Sequence, residues 1–439
     1  MAAGGDRARD AFAGALMGVQ EILLLVIVGL SIVLMLVRPQ DIAEVYWVGG
    51  GAILLVVLRL IPVTLAGKAI AEGTNVYLFL IGMMLLSELA REQGVFDWLS
   101  SVAVRSAHGS SIRLFTLVYG IGTVVTIFMS NDATAVVLTP AILTAVRKAK
   151  VQPVPYLFAC AMIANAASFV LPISNPANLV VFREGMPPLG RWLVAFGVPS
   201  ILSIGVTYWA LRLIFKEEMT VAIEETVAAE PLSANGKLVV SGLVGTVAVL
   251  LTASAWDKDL GLPTCLAALA ITAAVSLKAR SSPVKLVKEI SWGTLALVAA
   301  LFVLVDAVQS VGVLQYTQAA LHWAERLAPA VGALVVSFVM GVANNVVNNL
   351  PLGLIAGGTL QAAHTKGLLA HAVLIGVDLG PNLSVTGSLA TILWLIALRK
   401  EKMDVSFRDF LKVGMVAMPV ALLAAMGGAI VMWMATKAS

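Results

Sequence analysis

Two short polar segments interrupt otherwise apolar sequence, one in each half of the chain. They are Ser130-Asn131-Asp132, and Asn344-Asn345 followed by Asn348-Asn349. Side chains of these types donate and accept hydrogen bonds, and the carboxyl can carry a proton. Hydrocarbon offers them no water in return. Polar, helix-breaking sequence at membrane depth persists only where it is buried in protein or lines a cavity. In secondary transporters such places form the substrate site.

Two more clusters have the same character. Ser174, Asn175 and Asn178 surround Pro176, four residues beyond Pro172. Asp378, Asn382, Ser384, Thr386, Gly387, Ser388 and Thr391 are interrupted by Gly380-Pro381 and Gly387. Each proline removes a helix hydrogen bond, so both segments read as broken helices. The substrate-binding candidates are therefore Ser130, Asn131 and Thr134; Ser174, Asn175 and Asn178; Asn345, Asn348 and Asn349; and Gly387, Ser388 and Thr391, with Asn344 beside them. Most are neutral donors and acceptors, to which nearby helix ends add partial charges. That chemistry suits a small hydroxylated or oxyanionic solute. The competing reading is interhelical adhesion, since Ser, Thr and Asn bond between membrane helices for modest gains.

Asp132 and Asp378 are the proton-coupling candidates. A charge at mid-bilayer costs about 2.5–3.5 kcal/mol, and a carboxyl sheds that cost by taking up a proton. Glu88 and Asp306 fall near span ends, where interfacial water solvates them. His108, His322, His364 and His371 fall in amphipathic or loop stretches and read as wet.

The elements that must position these groups are membrane helices. The chain of 439 residues is 59% hydrophobic and 12% charged, against about 25% charged in soluble domains. Apolar runs of about 20 residues recur along its length. The fold class is an all-α polytopic membrane protein. Long continuous runs exclude a membrane β-barrel, whose strands alternate. Cys160 and Cys265 lie far apart in apolar sequence, so they form neither a CxxC nor a metal site. No cofactor is implied. The net charge of +4 lacks a basic cluster on a soluble face, which excludes nucleic acid as a partner. No G-x-x-x-x-G-K-[ST] motif occurs, so the chain is not expected to hydrolyse ATP and is not read as an enzyme.

Spans are read at 20–37, 45–62, 74–91, 154–172, 192–214, 237–256, 261–277, 292–311, 370–396 and 410–436. Segments 112–146 and 330–360 read as re-entrant hairpins with polar tips, giving about ten crossings plus two hairpins. No cleavable signal peptide is evident, and residues 1–19 read as a peripheral amphipathic segment. Residues 20–215 form the first transmembrane half and 237–439 the second. The stretch 216–236, with Glu217, Glu218, Glu224, Glu225 and Glu230, reads as a cytoplasmic linker. Most of the 29 Lys and Arg then fall on one side, which the positive-inside rule makes cytoplasmic, with both termini outside.

A shift of 218 residues lays Glu88 on Asp306, Gly94-Val95 on Gly312-Val313 and Ser130-Asn131 on Asn348-Asn349. A shift of 213 lays Asn165 on Asp378, Ser174-Asn175 on Gly387-Ser388 and Asn178 on Thr391. The halves begin on opposite sides, so the repeat is inverted, and inverted repeats with broken helices carry their site at the repeat interface.

The same residues carry a family resemblance. Ser130-Asn131-Asp132-Ala133 running into Leu138-Thr139-Pro140, Asn348-Asn349-Leu350-Pro351, and Gly376-Val377-Asp378-Leu379-Gly380-Pro381 with Gly387-Ser388-Leu389-Ala390-Thr391 and Leu393-Trp394 resemble the arsenite/antimonite efflux permeases of the ion transporter superfamily. The resemblance spans nearly the whole chain. The Asp378 motif is its most specific part, while the Asn-Asp hairpin is shared with sodium/proton antiporters and dicarboxylate carriers. It implies export of trivalent arsenic or antimony hydroxide across the inner membrane. The drive is the proton gradient, or ATP where a soluble arsenite ATPase joins as partner. Two cysteines are too few for a tris-thiolate site. A sodium/proton antiporter, an organic-anion carrier and a channel are the alternatives. The lack of an arginine near the clusters weighs against the anion carrier, and the paired hairpins weigh against the channel.

Overall fold

The computed structural model describes residues 3–183, 185–220, 222–223, 231–280 and 282–438, with side chains for all but 3–17, 41 and 438. Every regular element is helical. A lone backbone bridge between Ser110 and Ala222 is the only β pairing among the described residues. Helices satisfy each backbone N–H and C=O within their own segment, as hydrocarbon requires.

The first half runs α1 (Ala3–Val37), α2 (Glu44–Val57), α3 (Val63–Glu72), α4 (Thr74–Glu92), α5 (Val95–Ser106), α6 (Ser111–Phe128), α7 (Thr139–Lys148), α8 (Val154–Ala166), α9 (Pro176–Val181) and α10 (Leu189–Ile214). The second half repeats that order: α11 (Ala234–Ala255), α12 (Gly261–Ala279), α13 (Val284–Glu289), α14 (Trp292–Ser310), α15 (Leu314–Glu325), α16 (Pro329–Val347), α17 (Asn349–Ala362), α18 (Leu368–Leu379), α19 (Leu389–Lys400) and α20 (Phe407–Ala438). Counterparts begin 218 residues apart at α4 and α14, at α6 and α16, and at α10 and α20. The repeat read from a few landmarks thus runs through the whole chain.

Among the described residues, eight helices are long and apolar enough to cross a membrane, or nine if α3 and α4, bent by 48° at Gly73, count as one span. The chain is a multi-pass membrane protein. The runs read at 154–172 and 370–396 are not continuous helices: α8 and α18 stop early and α9 and α19 resume after a break. The apolar pattern does not reveal α3, α5, α13 and α15, which are short and carry charged residues. Backbone of 3–17 continues directly into the first span, with its side chains outside the described set. The proposed linker includes 221 and 224–230, which lie outside the described residues.

The chain divides into two compact units. In Met1–Thr74 with Trp292–Ala319, α1 lies against α2, and α14 lies against α2 and α3. The other unit, Asn75–Ser291 with Ala320–Ser439, holds all four polar clusters. There α4 meets α12 where a Cβ on Gly82 would lie 2.8 Å from the Thr264 backbone. It meets α13 through the Lys285–Glu92 ion pair at 3.6 Å. Each half therefore lends its fourth helix to the second and third helices of the other.

The same exchange surrounds the breaks. Helix α6 lies on α8 and α16 on α18, within their own halves. The second arms cross over: α17 lies on α9, and α7 with its preceding turn lies on α19. Each broken helix is thus clasped by both hairpins. Small residues permit the closest of these approaches. A Cβ on Gly376 would lie 2.5 Å from Ser337 O and 2.7 Å from Met340 Cβ of α16. Gly376→Ala should therefore separate α16 from α18. The expected result is a marked drop in monodisperse detergent-purified protein and in its melting temperature; wild-type values would show that the contact yields without cost.

Candidate functional site

Both hairpin tips are built alike. Helix α6 ends at Phe128, and Ser130 Oγ then accepts from Ala133 N at 3.2 Å, capping the second arm. Asn348, its repeat mate, accepts at Oδ1 from Leu350 N at 3.4 Å and caps α17. Asn348 holds φ 77° and ψ 151°, a region almost reserved for glycine. A side chain stays there only where its surroundings over-determine it. Here the ties are Leu350 N and a long bond from Asn348 Nδ2 to Thr386 O at 3.4 Å. Beyond the first tip, Ala133–Leu138 form a π-turn. Pro140 has no N–H to give, and just before it Thr139 donates from both its backbone N–H and its Oγ1, the latter at 3.0 Å, to Thr134 O. Such wide turns recur at functional sites.

The two breaks also match step for step. Leu171 and Ser384 are extended, Pro172–Ser174 and Val385–Gly387 make single 3₁₀ turns, and Asn175 and Ser388 are extended N-caps. Asn175 Oδ1 accepts from Ala177 N at 3.0 Å and Ser388 Oγ from Thr391 N at 3.1 Å. These are the mates aligned at a shift of 213. Positive ends of α9 and α19 therefore face the breaks.

A helix that stops inside the protein leaves its last carbonyls without partners. The asparagines supply them. Asn344 Nδ2 donates to Gly376 O at 3.0 Å and Val377 O at 2.7 Å, closing the end of α18. Asn345 Nδ2 reaches Gly380 O at 3.1 Å, and its Oδ1 accepts from Ser384 Oγ at 2.7 Å. Asn178 Nδ2 donates to Ser168 O at 2.9 Å and Leu171 O at 3.2 Å. Ser174 Oγ donates to Ile127 O at 3.0 Å, tying the first break to the first hairpin.

Side-chain bonds at the breaks join the halves, among them Asn382 Nδ2 to Met162 O at 3.0 Å. Asn175 Nδ2 donates to Asp378 Oδ1 at 2.8 Å, and Asn165 Nδ2 donates to Asn382 Oδ1 at 2.9 Å. Asn165 and Asp378 are repeat mates, and each reaches the broken segment of the other half. Asp378 is fully buried and makes no ion pair among the described residues. Asp132 is partly accessible. Asn131 is buried and accepts from Asp132 N at 2.9 Å. Thr134 bonds Thr126 at 2.8 Å and Thr391 bonds Ser388 at 2.8 Å, both within their own segments. Gly387 abuts Asn345 Oδ1, where a Cβ would come to 2.8 Å.

Five buried oxygens at the breaks have no donor among the described residues: Asn165 Oδ1, Asn178 Oδ1, Asn344 Oδ1, Asn349 Oδ1 and Asp378 Oδ2. The amide orientations of Asn165, Asn178 and Asn344 are fixed, because each nitrogen already faces an oxygen acceptor. The unmatched groups of those three are therefore acceptors, as is Asp378 Oδ2. Of these residues, Asn165 lay outside the candidate set; its signal was the register with Asp378. Glu88 pairs with Arg91, as its place near a span end suggests. Asp306 is buried, and His371 is half-buried edge-on to Phe196 at 5.1 Å between ring centroids; neither is as wet as the sequence implies.

Residues 13–377 match the citrate transporter family, CitMHS. The chain belongs to this family. It is therefore a membrane transporter. Relatives of the CitMHS chain include the arsenical pump membrane protein of Escherichia coli, 25% identical over 406 residues and covering 88% of this chain and 93% of that one. That of Yersinia enterocolitica is 25% identical over 351 residues, covering 76% and 81%. The YdaH transporter of Alcanivorax borkumensis shares the fold, with TM-score 0.56 and 14% identity over 85% of this chain and 88% of that one.

Proposed function

We propose that this transporter exports trivalent arsenic or antimony, as the neutral hydroxides, across the inner membrane in exchange for protons. The observation that carries the reading is the set of five unmatched acceptors. A trihydroxide presents O–H donors to them, and each bond formed relieves a buried oxygen that otherwise lacks a partner. Citrate, which the family's name suggests, would bring carboxylates to the same oxygens. Among the described residues, the hydrogen bonds made by Asn165, Asn175, Asn178, Asn344, Asn345 and Asp378 involve no lysine or arginine to offset that charge. The names of the E. coli and Yersinia relatives point the same way.

In this reading the hairpins enter from opposite faces and the inverted repeats alternate access around the breaks. Asp378 carries the proton, with Asp132 as second candidate. Ser130, Asn131, Thr134, Ser174, Asn175, Asn178, Asn345, Asn348, Asn349, Gly387, Ser388 and Thr391 surround the cargo. A soluble arsenite ATPase is an optional partner, and the chain itself binds no nucleotide.

The test is arsenite uptake into everted vesicles. Uptake should follow an imposed pH gradient, stop when the gradient is collapsed, and be indifferent to replacing sodium with choline. Sodium dependence would favour a sodium-coupled carrier. Sustained export from ATP-free proteoliposomes after collapse of the proton gradient would sink proton coupling.

A further inference from the structure

Away from the breaks, a recess of about 360 Å³ opens between the first turns of α10, the last turns of α20 and the start of α18. Gly190, Val194, Ala195, Ala429 and Met432 give it apolar walls. Arg191, His371, Trp433 and Thr436 line its polar end. No carboxylate is among the lining residues. Arg191 is exposed and makes no ion pair among the described residues. Lys437 stacks on the Trp433 ring at 4.1 Å, which brings a second cation to the rim. Below Arg191, Val194, Val198 and Ile201 follow at helical spacing and are exposed at 45%, 37% and 70%.

We infer that this recess binds an anionic phospholipid. The phosphodiester sits between Arg191, Lys437 and the Trp433 indole N–H, and an acyl chain lies along Val194, Val198 and Ile201. The charge argument is direct: two unneutralised cations stand at one end of an apolar track on a membrane helix. Basic pockets between transmembrane helices hold anionic headgroups for this reason, and Trp at the interface presents an apolar ring with one polar edge. A zwitterionic lipid brings its own ammonium to the same place and loses much of the gain. His371 joins the recess to the transport path, because it lies on α18 seven residues before Asp378, nearly the same face two turns away.

The experiment is lipid binding to the purified chain, read by native mass spectrometry and by melting temperature. Phosphatidylglycerol, phosphatidylcholine with the same acyl chains, and inorganic phosphate are the three probes. The expected result is tighter retention of phosphatidylglycerol and a higher melting temperature with it than with phosphatidylcholine. Arg191→Gln with Lys437→Gln should weaken phosphatidylglycerol binding by about thirtyfold, given the usual contribution of each basic residue to anionic lipid binding. Arg191→Lys should keep most of the preference. Both positions are exposed, so folding of the variants is checked by elution profile and unliganded melting temperature. Equal binding of the two lipids, or an unchanged preference in the double variant, would overturn the assignment. So would equal stabilisation by inorganic phosphate alone, which would leave an anion site without a lipid. These readouts do not involve arsenite, so they stand or fall independently of the proposed cargo.

Discussion

Asp378→Asn is expected to reduce pH-driven arsenite transport to the level of vesicles lacking the protein while leaving the fold intact. The amide is close to isosteric, and its oxygen can still accept from Asn175, which holds Asp378 Oδ1 at 2.8 Å. What changes is the other atom. Oδ2 is a buried acceptor without a donor among the described residues, and the variant puts an N–H₂ there that carries no exchangeable charge. Asp378→Glu keeps the chemistry but adds a methylene at a position with no exposed surface. It should retain part of the coupling with a displaced pH optimum. Asn175→Ala removes one of the two side chains, with Ser168, that hydrogen-bond toward the carboxyl, and should move the pH profile. The measurement is initial uptake rate against pH at matched expression. A mutant profile that tracks wild type would remove Asp378 from the coupling role and leave Asp132, which is partly accessible.

The sequence made the breaks legible because hydrocarbon penalises them. Pro176, Gly380-Pro381 and the polar tips stand out against apolar surroundings, and the repeat register predicted which residues share a position. It could not show how the broken ends are satisfied. Asn344 bonds two carbonyls more than 30 residues away, and that pairing depends on the glycine-lined approach of α16 to α18, which no local pattern encodes. Nor could it show that the fourth helix of each half packs into the other half. The short helices α5 and α15 were missed because helices with charged residues and only a few turns look like loops beside span-length runs. Nor could the sequence show that Asp378 is bonded by Asn175, from the other half of the chain.

Asn344 and Asn349, five residues apart in the same polar segment, differ in what they bond, and the second large effect follows. Asn349→Ala should lower arsenite transport by tenfold or more, about what one lost hydrogen bond to the cargo implies, with little change in melting temperature. Its side chain makes no hydrogen bond among the described residues, and its Oδ1 is buried and unmatched. Folding therefore gains little from it, and a ligand donor gains much. Asn344→Ala should lose stability as well as transport. It leaves Gly376 O and Val377 O without their side-chain donor at the end of α18, costing about 1–2 kcal/mol of stability on the scale of membrane hydrogen bonds. Its own unmatched Oδ1 is lost too, so the fall in melting temperature is what sets it apart from Asn349→Ala. Asn131→Ala, at the mate of Asn349, should fall between them, since Asn131 already accepts from Asp132 N. Melting temperature and uptake rate measured on the same three preparations decide the matter. If Asn349→Ala melts as early as Asn344→Ala and transports as well as wild type, the unmatched oxygen belongs to packing, and the acceptor-rich breaks do not hold the cargo through it.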